Sequence, residues 1–310
     1  MDDARAFDDI RRTVRDMPTG MTLPTPRHLT IDQRQVSCLY SEKPGTVPVI
    51  LLHGGGLDRA SLSWQRLFPV LAERHTVIAP DWPGYGGSAG HERPYRIADL
   101  HRWLMAFMDA LDIDRADMVG ISMGGGVALL SALDTPGRVR RLVPVGTYGV
   151  QEHAPYHVLT YLMLQLPVNA ISYAILRRSR RMTRRALEAI FADPDRLTDG
   201  IVDEVTQALR EGDVARTFSA FQRAEIGPKR LRTVLTDRLP MIYHPTLFIH
   251  GKEDTLVPLA DVRRAAQTVP NARLEVLKSG HWPMRERPDA FNALVADFLR
   301  PSDDPADISA

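Results

Sequence analysis

The chain has 310 residues, of which 44% are hydrophobic and 25% charged, a composition that is ordinary for globular proteins and argues against a largely disordered chain. Basic residues number 39 and acidic residues 38, so the formal net charge of +1 excludes a global field that would attract nucleic acid. The length allows one large α/β domain or two modest ones.

A single cysteine and the composition of the first residues bear on metal binding and on the cell compartment. Cys38 alone cannot form an internal disulfide, and a structural zinc site would need several thiolates. Residues 1–9 are acidic where a signal peptide would be basic, and they contain no apolar segment. We therefore expect a cytoplasmic protein without a disulfide framework.

The first predicted element is an N-terminal helix, residues 3–16, whose apolar residues recur at helical spacing. In chain order, the predicted strands are residues 28–31, 36–40, 47–52, 75–79, 117–121, 141–145, 246–250 and 273–277. The other predicted helices are residues 62–72, 97–111, 122–133, 184–191, 198–211, 259–268 and 288–300. Continuous apolar runs such as residues 47–52 indicate strands that are buried on both faces of a parallel sheet.

Strands and helices alternate along most of the chain, which predicts βαβ units. The alternation stops over residues 147–243, where the sequence indicates helices alone. We predict an α/β fold, with a mostly parallel central sheet flanked by helices, formed by residues 21–146 and 244–300. Residues 147–243 are predicted to form an inserted helical cap. Residues 1–20 would be a helical extension and residues 301–310 a flexible tail.

One part of the predicted cap, residues 158–176, is mostly apolar, and six arginines follow it within residues 177–185. Polar residues and a proline interrupt the apolar run, which argues against a membrane-spanning helix of about 20 apolar residues. We interpret the run as buried or lid-like helices and the arginines as a solvated face. A basic segment beside an apolar one is also typical of binding to a membrane surface, and this alternative stays open.

A serine lies between a predicted strand and a predicted helix, in the sequence Gly120-Ile121-Ser122-Met123-Gly124. This setting is that of a nucleophile elbow, in which a tight strand-to-helix turn exposes the serine hydroxyl. The glycines avoid a clash of a Cβ atom with the neighbouring backbone, and the helix N-terminus offers N–H groups to a developing anion. Ser122 is therefore the candidate nucleophile, and a glycine-rich packing turn is the alternative.

A serine nucleophile needs a base, and the base needs an acid that orients it. His281 follows a predicted core strand and precedes the last helix, which makes it the candidate base among ten histidines. Asp254 directly follows another buried strand, where α/β sheets place their sites, and Glu253 is the adjacent competitor. The resulting chain order Ser122, Asp254, His281 is the order expected of α/β-hydrolases.

A glycine run, His53-Gly54-Gly55-Gly56, follows the first core strand. Glycines at this place let backbone N–H groups approach an oxyanion, and the natural pair of donors is Gly55 with Met123. A phosphate-binding loop is the rival interpretation, but the Lys-Ser or Lys-Thr pair of a P-loop is missing. Nor does a G-x-G-x-x-G motif open a helix, as a dinucleotide site requires.

Taken in order, these motifs resemble the α/β-hydrolase superfamily over residues 25–300. The resemblance is carried by the glycine run, the segment 81–88, the Ser122 turn, the segment 251–254 and the segment 279–281. It implies an α/β-hydrolase core, a helical cap over the pocket, and catalysis that requires no metal or organic cofactor.

Within the superfamily, residues 280–282 resemble the meta-cleavage-product hydrolases, which break carbon–carbon bonds in vinylogous diketo acids. In that subfamily an asparagine usually precedes the serine, and a cap arginine grips the substrate carboxylate. This chain has Ile121 at the first position and Val205 at the second. Arg210 and the arginines of residues 177–185 are the nearby cations that would have to substitute.

We predict a serine hydrolase in which His281 takes the proton of Ser122, Asp254 orients His281, and water hydrolyses the acyl-enzyme. The preferred substrate is a small carboxylic ester or lactone with an apolar moiety, so ester hydrolases are favoured over carbon–carbon hydrolases. Carbon–carbon hydrolysis of vinylogous diketo acids is one alternative, and a ligand-binding receptor on a hydrolase scaffold is the other. Candidate substrate-binding residues are Gly56, Ile121 and Trp282. No nucleic-acid partner is expected, and the oligomeric state is not predicted.

Overall fold

The computed structural model describes residues 23–90, 95–211 and 213–300. The predicted helix over residues 3–16 and the predicted tail over residues 301–310 lie outside these ranges. Within them, eight strands form one sheet. The strands are β1 (Arg27–Ile31), β2 (Arg34–Ser41), β3 (Val49–Leu52), β4 (Val77–Pro80), β5 (Ala116–Ile121), β6 (Val139–Val145), β7 (Thr246–Gly251) and β8 (Ala272–Leu277).

Across the sheet the strands lie in the order β1-β2-β4-β3-β5-β6-β7-β8. Strands β3 to β8 pair in parallel, whereas β2 pairs antiparallel with both β1 and β4. Every residue of β3, β4, β5 and β7 is buried, because helices cover both faces of a parallel sheet. The predicted α/β fold with a mostly parallel central sheet is therefore confirmed.

Helices flank the sheet and fill the stretch between β6 and β7. In chain order they are α1 (Ala60–Ser63), α2 (Phe68–Ala72), α3 (Ile97–Ala110), α4 (Met123–Asp134), α5 (His157–Leu164), α6 (Val168–Leu176), α7 (Arg180–Glu188), α8 (Asp199–Ala208), α9 (Val214–Glu225), α10 (Leu259–Thr268), α11 (Pro283–Glu286) and α12 (Pro288–Phe298). The predicted helix over residues 62–72 is divided between α1 and α2. Pro69 explains the break, because its ring would clash with the carbonyl group four residues earlier in a continuous helix.

The chain between β6 and β7, residues 146–245, contains α5 to α9, and we call it the helical insert. Its described residues form helices, turns and an isolated β-bridge between Ile226 and Leu231. Among the described residues, no single helix is long and apolar enough to cross a membrane. Helices α5 and α6 meet the length and composition of such a span only as a pair, and they are bent by 87°.

Two hydrophobic clusters cover opposite faces of the sheet. Ile50 and Leu52 of β3 belong to the first cluster, and Val49 and Leu51 belong to the second, as the alternation of side chains along a strand requires. The second cluster continues into the helical insert through residues such as Val205 of α8. Because strands β3 to β8 are parallel, their carboxyl ends share one edge, and the candidate site residues lie along it.

Candidate active site

Ser122 lies in the turn between β5 and α4 and has an unusual backbone conformation. Its φ is 51° and its ψ is −115°, a combination that residues with a Cβ atom rarely adopt. A Cβ atom at Gly120 would lie 2.4 Å from the carbonyl oxygen of Gly124, and one at Gly124 would lie 2.3 Å from that of Leu52. The two glycines therefore permit the tight turn, which leaves Ser122 only half-buried.

His281 and Asp254 form a hydrogen-bonded pair on the loops after β8 and β7. The Nδ1–H of His281 donates to Oδ2 of Asp254 over 2.7 Å, which leaves Nε2 as the acceptor of the ring. The other carboxylate oxygen accepts from the backbone N–H groups of Leu256 and Val257 at 2.8 and 3.1 Å. Glu253 is exposed, so the structure brings Asp254 rather than its neighbour to the histidine.

Two opposing effects act on the Asp254 carboxyl group. Burial favours its neutral form, but His281, His250 and the N–H of Val257 together outweigh burial, and the pKa of Asp254 lies below its ordinary value. On the other side, burial lowers the pKa of His250, whose Nε2–H donates to the carbonyl oxygen of Val257. Asp254 is thus an anion that can stabilise a positive charge on His281.

Gly146, directly after β6, connects Ser122 with this pair. The backbone N–H of Ser122 donates to the carbonyl oxygen of Val145 over 2.9 Å. A Cβ atom at Gly146 would lie 3.2 Å from the ring of His281 and 3.3 Å from Oδ2 of Asp254. Its φ of 45° also lies in the left-handed region that favours glycine. The three residues predicted for catalysis are therefore gathered around Gly146, at the ends of neighbouring strands.

The glycine run after β3 passes directly beside Ser122. A Cβ atom at Gly54 would lie 3.6 Å from the Cβ of Ser122, and one at Gly55 would lie 3.6 Å from Sδ of Met123. The glycine run and the N-terminus of α4 therefore lie side by side, which is the arrangement that an oxyanion hole needs.

Two buried side chains hold the glycine run in place. His53 donates from Nδ1 to the carbonyl oxygen of Gly54 at 2.7 Å and accepts at Nε2 from the N–H of Trp82 at 3.0 Å. Burial lowers the pKa of His53 to about 3, so the ring is neutral and its tautomer is set by these bonds. Asp58 accepts from the N–H of Gly54 at 2.7 Å and from the hydroxyl of Ser63 at 2.6 Å.

Two aromatic side chains of the helical insert lie over the glycine run, and sequence reasoning missed both. Cε2 of Phe218, on α9, lies 2.7 Å from the place of a Cβ atom at Gly55, and the hydroxyl of Tyr173, on α6, lies 3.5 Å from one at Gly56. Burial raises the pKa of Tyr173, so its hydroxyl is neutral and can donate a hydrogen bond. The only sequence signal is an aromatic residue at helical spacing, which does not show which face meets the sheet.

The three residues predicted to bind substrate differ in their surroundings. Gly56 lies beneath Tyr173, whereas the residues Ile121 and Trp282 are only 1% and 3% exposed. Trp282 packs edge-on against Phe191, with 6.4 Å between the ring centroids. The side chains of Ile121 and Trp282 both belong to the second core cluster.

Neither Val205 nor Arg210 brings a positive charge to Ser122. Val205 is fully buried in the second core cluster. Arg210 is exposed, and its Nε–H donates to the carbonyl oxygen of Arg177 at 3.2 Å. Two arginines of residues 177–185 form ion pairs with aspartates of α8. Arg180 and Arg184 are therefore engaged in ion pairs, and Arg177 lines a groove between α6 and α9.

The remaining candidate chemistry concerns metals and the thiol. In the described ranges, no three His, Cys, Asp or Glu side chains are grouped so that they could hold a metal ion. Cys38 is buried in β2, and burial together with the Asp81 carboxylate raises its pKa to about 11. A thiol that stays protonated is a poor nucleophile. The candidate nucleophile in the described ranges is therefore the hydroxyl group of Ser122.

Known proteins resemble the chain over most of its length. The family model of the alpha/beta hydrolase fold matches residues 47–288. A 2-hydroxymuconate semialdehyde hydrolase from Pseudomonas sp. (strain CF600) is 34% identical over 269 residues, which cover 83% of this chain and 88% of the relative. A 2-hydroxy-6-oxo-2,4-heptadienoate hydrolase from Pseudomonas putida is 30% identical, with coverages of 83% and 90%. A solved meta-cleavage product hydrolase from Pseudomonas fluorescens IP01 has a TM-score of 0.75 at 26% identity and covers 88% of this chain and 97% of its own.

These comparisons correct the predicted reaction class and confirm the predicted superfamily. The preference for ester hydrolases over carbon–carbon hydrolases is wrong, because the relatives are named as hydrolases of meta-cleavage products. The preference rested on Ile121 and Val205, which differ from the subfamily, and these two differences do not outweigh a similarity that covers 83% of the chain. The resemblance to the superfamily is confirmed by the family model. The chain belongs to the α/β-hydrolase family.

Proposed function

We propose that the chain is a carbon–carbon hydrolase that cleaves a bond next to a ketone in a vinylogous diketo acid. The observation that carries this proposal is the hydrogen bond of 2.7 Å between His281 and Asp254, beside the strained turn of Ser122. The substrate class is supported by a relative, 34% identical, that is named 2-hydroxymuconate semialdehyde hydrolase.

In the first proposed step, the hydroxyl oxygen of Ser122 attacks the ketone carbon while Nε2 of His281 takes the hydroxyl proton. Asp254 holds Nδ1–H of the ring, so it keeps the tautomer that can accept this proton and then stabilises the imidazolium. The negative charge that develops on the ketone oxygen is bound by the backbone N–H groups of Gly55 and Met123.

In the second step, the tetrahedral intermediate expels a carbon leaving group. The electron pair of the broken bond passes into the conjugated ketone of the leaving fragment, and the imidazolium of His281 returns its proton to the carbon atom. Water, deprotonated by His281, then hydrolyses the acyl group from Ser122 and releases a carboxylic acid. One water molecule is consumed, and the reaction is redox-neutral.

We assign the role of a cap to the helical insert. Phe218 and Tyr173 lie over the glycine run, where they would exclude water while the carbon leaving group awaits its proton. The neutral hydroxyl of Tyr173 is available to donate a hydrogen bond to a substrate oxygen. Val205 and Arg210 bring no charge to this place, and we assign the acid end of the substrate to neutral donors such as the Tyr173 hydroxyl.

The test is turnover of a vinylogous diketo acid and of its methyl ester. Turnover is measured as the loss of absorbance of the conjugated chromophore. A charge-assisted hydrogen bond contributes about 1.5–3 kcal/mol, which is about 10–150-fold in affinity. With neutral donors, we expect the acid and its ester to differ in kcat/KM by less than about tenfold. The receptor alternative predicts labelling of Ser122 by a fluorophosphonate without turnover of either compound, and that result would refute the proposal.

A further inference from the structure

Helices α5 and α6 and the turn between them expose a series of large apolar side chains. We call them the apolar ridge, and its members are between 46% and 65% exposed: Val158, Leu159, Leu162, Leu166, Ile171 and Ile175. Tyr156, directly before α5, is 86% exposed. Soluble monomers seldom leave so many large apolar side chains together in water, and such patches mark interaction sites.

The shape of the two helices favours binding along the surface of a membrane over a helix that spans it. The pair is bent by 87°, and only both helices together have the length and composition of a span. Short helices with an apolar face, in place of about 20 continuous apolar residues, are typical of segments that lie within the membrane interface.

Positive charge borders the apolar ridge. The exposed arginines Arg177, Arg178, Arg181 and Arg185 follow α6 and continue on α7, and we call them the arginine fringe. In the part of the chain that the structure describes, none of these four forms an ion pair, whereas their neighbours Arg180 and Arg184 pair with Asp199. Residues 153–187 contain no aspartate or glutamate. The acidic residues nearest in sequence are Glu152 and Glu188, so positive charge exceeds negative charge over this segment.

We propose that the apolar ridge and the arginine fringe dock the protein on a lipid surface that carries anionic headgroups. The ridge would enter the boundary between headgroups and acyl chains, and the arginines would contact the phosphate groups. A second copy of the chain fits this surface less well. A two-fold dimer through the ridge would place the fringe of each copy against a segment, residues 153–187, that contains no acidic residue.

Docking would also give a role to the groove behind the ridge, a step that rests on the proposed hydrolase function. A groove of about 550 Å³ lies between α6 and α9, and it is lined by Tyr173 and by the charged side chains of Arg177, Asp213, Arg216 and Arg223. The same tyrosine places its hydroxyl 3.5 Å from the position of a Cβ atom at Gly56. Helix α6 thus carries Ile171 and Ile175 on the ridge next to residues that lead to the site. A diketo acid whose apolar part partitions into the lipid would enter the groove from this side.

The experiment is flotation of the full chain with vesicles of phosphatidylcholine alone or mixed with phosphatidylglycerol. We expect the protein to float with the mixed vesicles at low salt and to bind less as salt screens the arginines. Leu159→Ser combined with Leu162→Ser should abolish flotation. Arg178→Gln combined with Arg181→Gln should lower the vesicle partition coefficient about 30-fold, because each arginine near an anionic surface contributes several-fold.

Matched controls separate docking from folding and from catalysis. Met241→Ser with Tyr243→Ser removes apolar side chains that are also 64% and 59% exposed but lie outside the ridge. Arg66→Gln with Arg263→Gln removes exposed charges outside the fringe. Both double variants should float like the wild type, as should Ser122→Ala. Circular dichroism checks that all variants are folded, so docking can fail or succeed independently of the proposed hydrolase function.

Three results would overturn the proposal. The wild type could remain unbound to the mixed vesicles, or the ridge and fringe variants, correctly folded, could float as well as the wild type. A wild-type dimer in light scattering that dissociates in the Leu159→Ser, Leu162→Ser variant would assign the ridge to a second copy of the chain.

Discussion

Asp58 is a buried carboxyl group whose replacement by asparagine should change the pH dependence of stability and also slow catalysis. Burial raises its pKa from 3.8 to about 6, against hydrogen bonds from Ser63, Gly54 and Arg59 that favour the carboxylate. Between about pH 4 and pH 6 the folded state therefore holds a proton that the unfolded state has lost. The folded state binds more protons in this window, so its stability falls as the pH rises through it.

The magnitude follows from the size of the shift. Raising the pKa from 3.8 to about 6 corresponds to about 3 kcal/mol of unfolding free energy. Relative to Asp58→Asn, the wild type should lose about that much stability between about pH 4 and pH 7. Urea unfolding at a series of pH values measures the difference, and Asp289→Asn, at an exposed position, is the control that should follow the wild type. Parallel curves for the wild type and Asp58→Asn would refute the reasoning.

The same variant tests whether Asp58 positions the glycine run. One carboxylate oxygen accepts from Gly54 and Ser63, and the other accepts from the N–H of Arg59. An asparagine amide has a single acceptor oxygen, so one of the two backbone N–H groups would face an NH₂ group. We expect kcat and the rate of fluorophosphonate labelling of Ser122 to fall about tenfold or more as the oxyanion donors shift. Unchanged rates would show that Asp58 does not hold these donors.

Three further predictions concern the residues around the strand ends. Asp254→Asn should lower kcat by about 10⁴-fold, because the amide favours the wrong tautomer of the histidine. Glu253→Gln should leave kcat nearly unchanged. The reverse order of the two effects in steady-state kinetics would assign the role of the acid to Glu253. Gly146→Ala should lower both Tm and kcat. Its Cβ atom would meet the ring of His281 at 3.2 Å, and its positive φ would cost about 1–2 kcal/mol. A variant with the Tm and the kcat of the wild type would contradict this prediction. Tyr173→Phe should raise KM about tenfold without lowering Tm, and an unchanged KM would exclude a hydrogen bond from this hydroxyl to the substrate.

The buried sheet is the part of the fold that sequence reasoning predicts best. A short, continuous apolar run such as Val49–Leu52 is stable in few places other than the centre of a covered parallel sheet. The positions of Ser122, Asp254 and His281 follow from the same frame, because residues directly after parallel strands meet at one edge. The parallel sheet places these side chains near each other. Their catalytic roles stay predictions that kinetics must test.

The contacts of the helical insert with the site and the choice between the two substrate classes are the parts that sequence reasoning could not supply. Helical periodicity marks an apolar face but does not name its partner, so Tyr173 and Phe218 could not be assigned to the glycine run. The strand-end motifs serve attack on any carbonyl carbon, in an ester or in a ketone. What separates the two reactions is the leaving group, and the strand-end motifs do not identify it. The differences at Ile121 and Val205 were therefore an insufficient basis for preferring esters.

The most direct test of the central claim is the rate of carbon–carbon cleavage of a vinylogous diketo acid by the wild type and by Ser122→Ala, with both product fragments quantified. We expect the wild type to release the carboxylic acid and the shorter keto fragment in equal amounts. We expect kcat of Ser122→Ala to be lower by on the order of 10⁶-fold, as in other serine triads. Cleavage by Ser122→Ala at more than about a tenth of the wild-type rate, or a wild type that cleaves no diketo acid, would contradict the central claim.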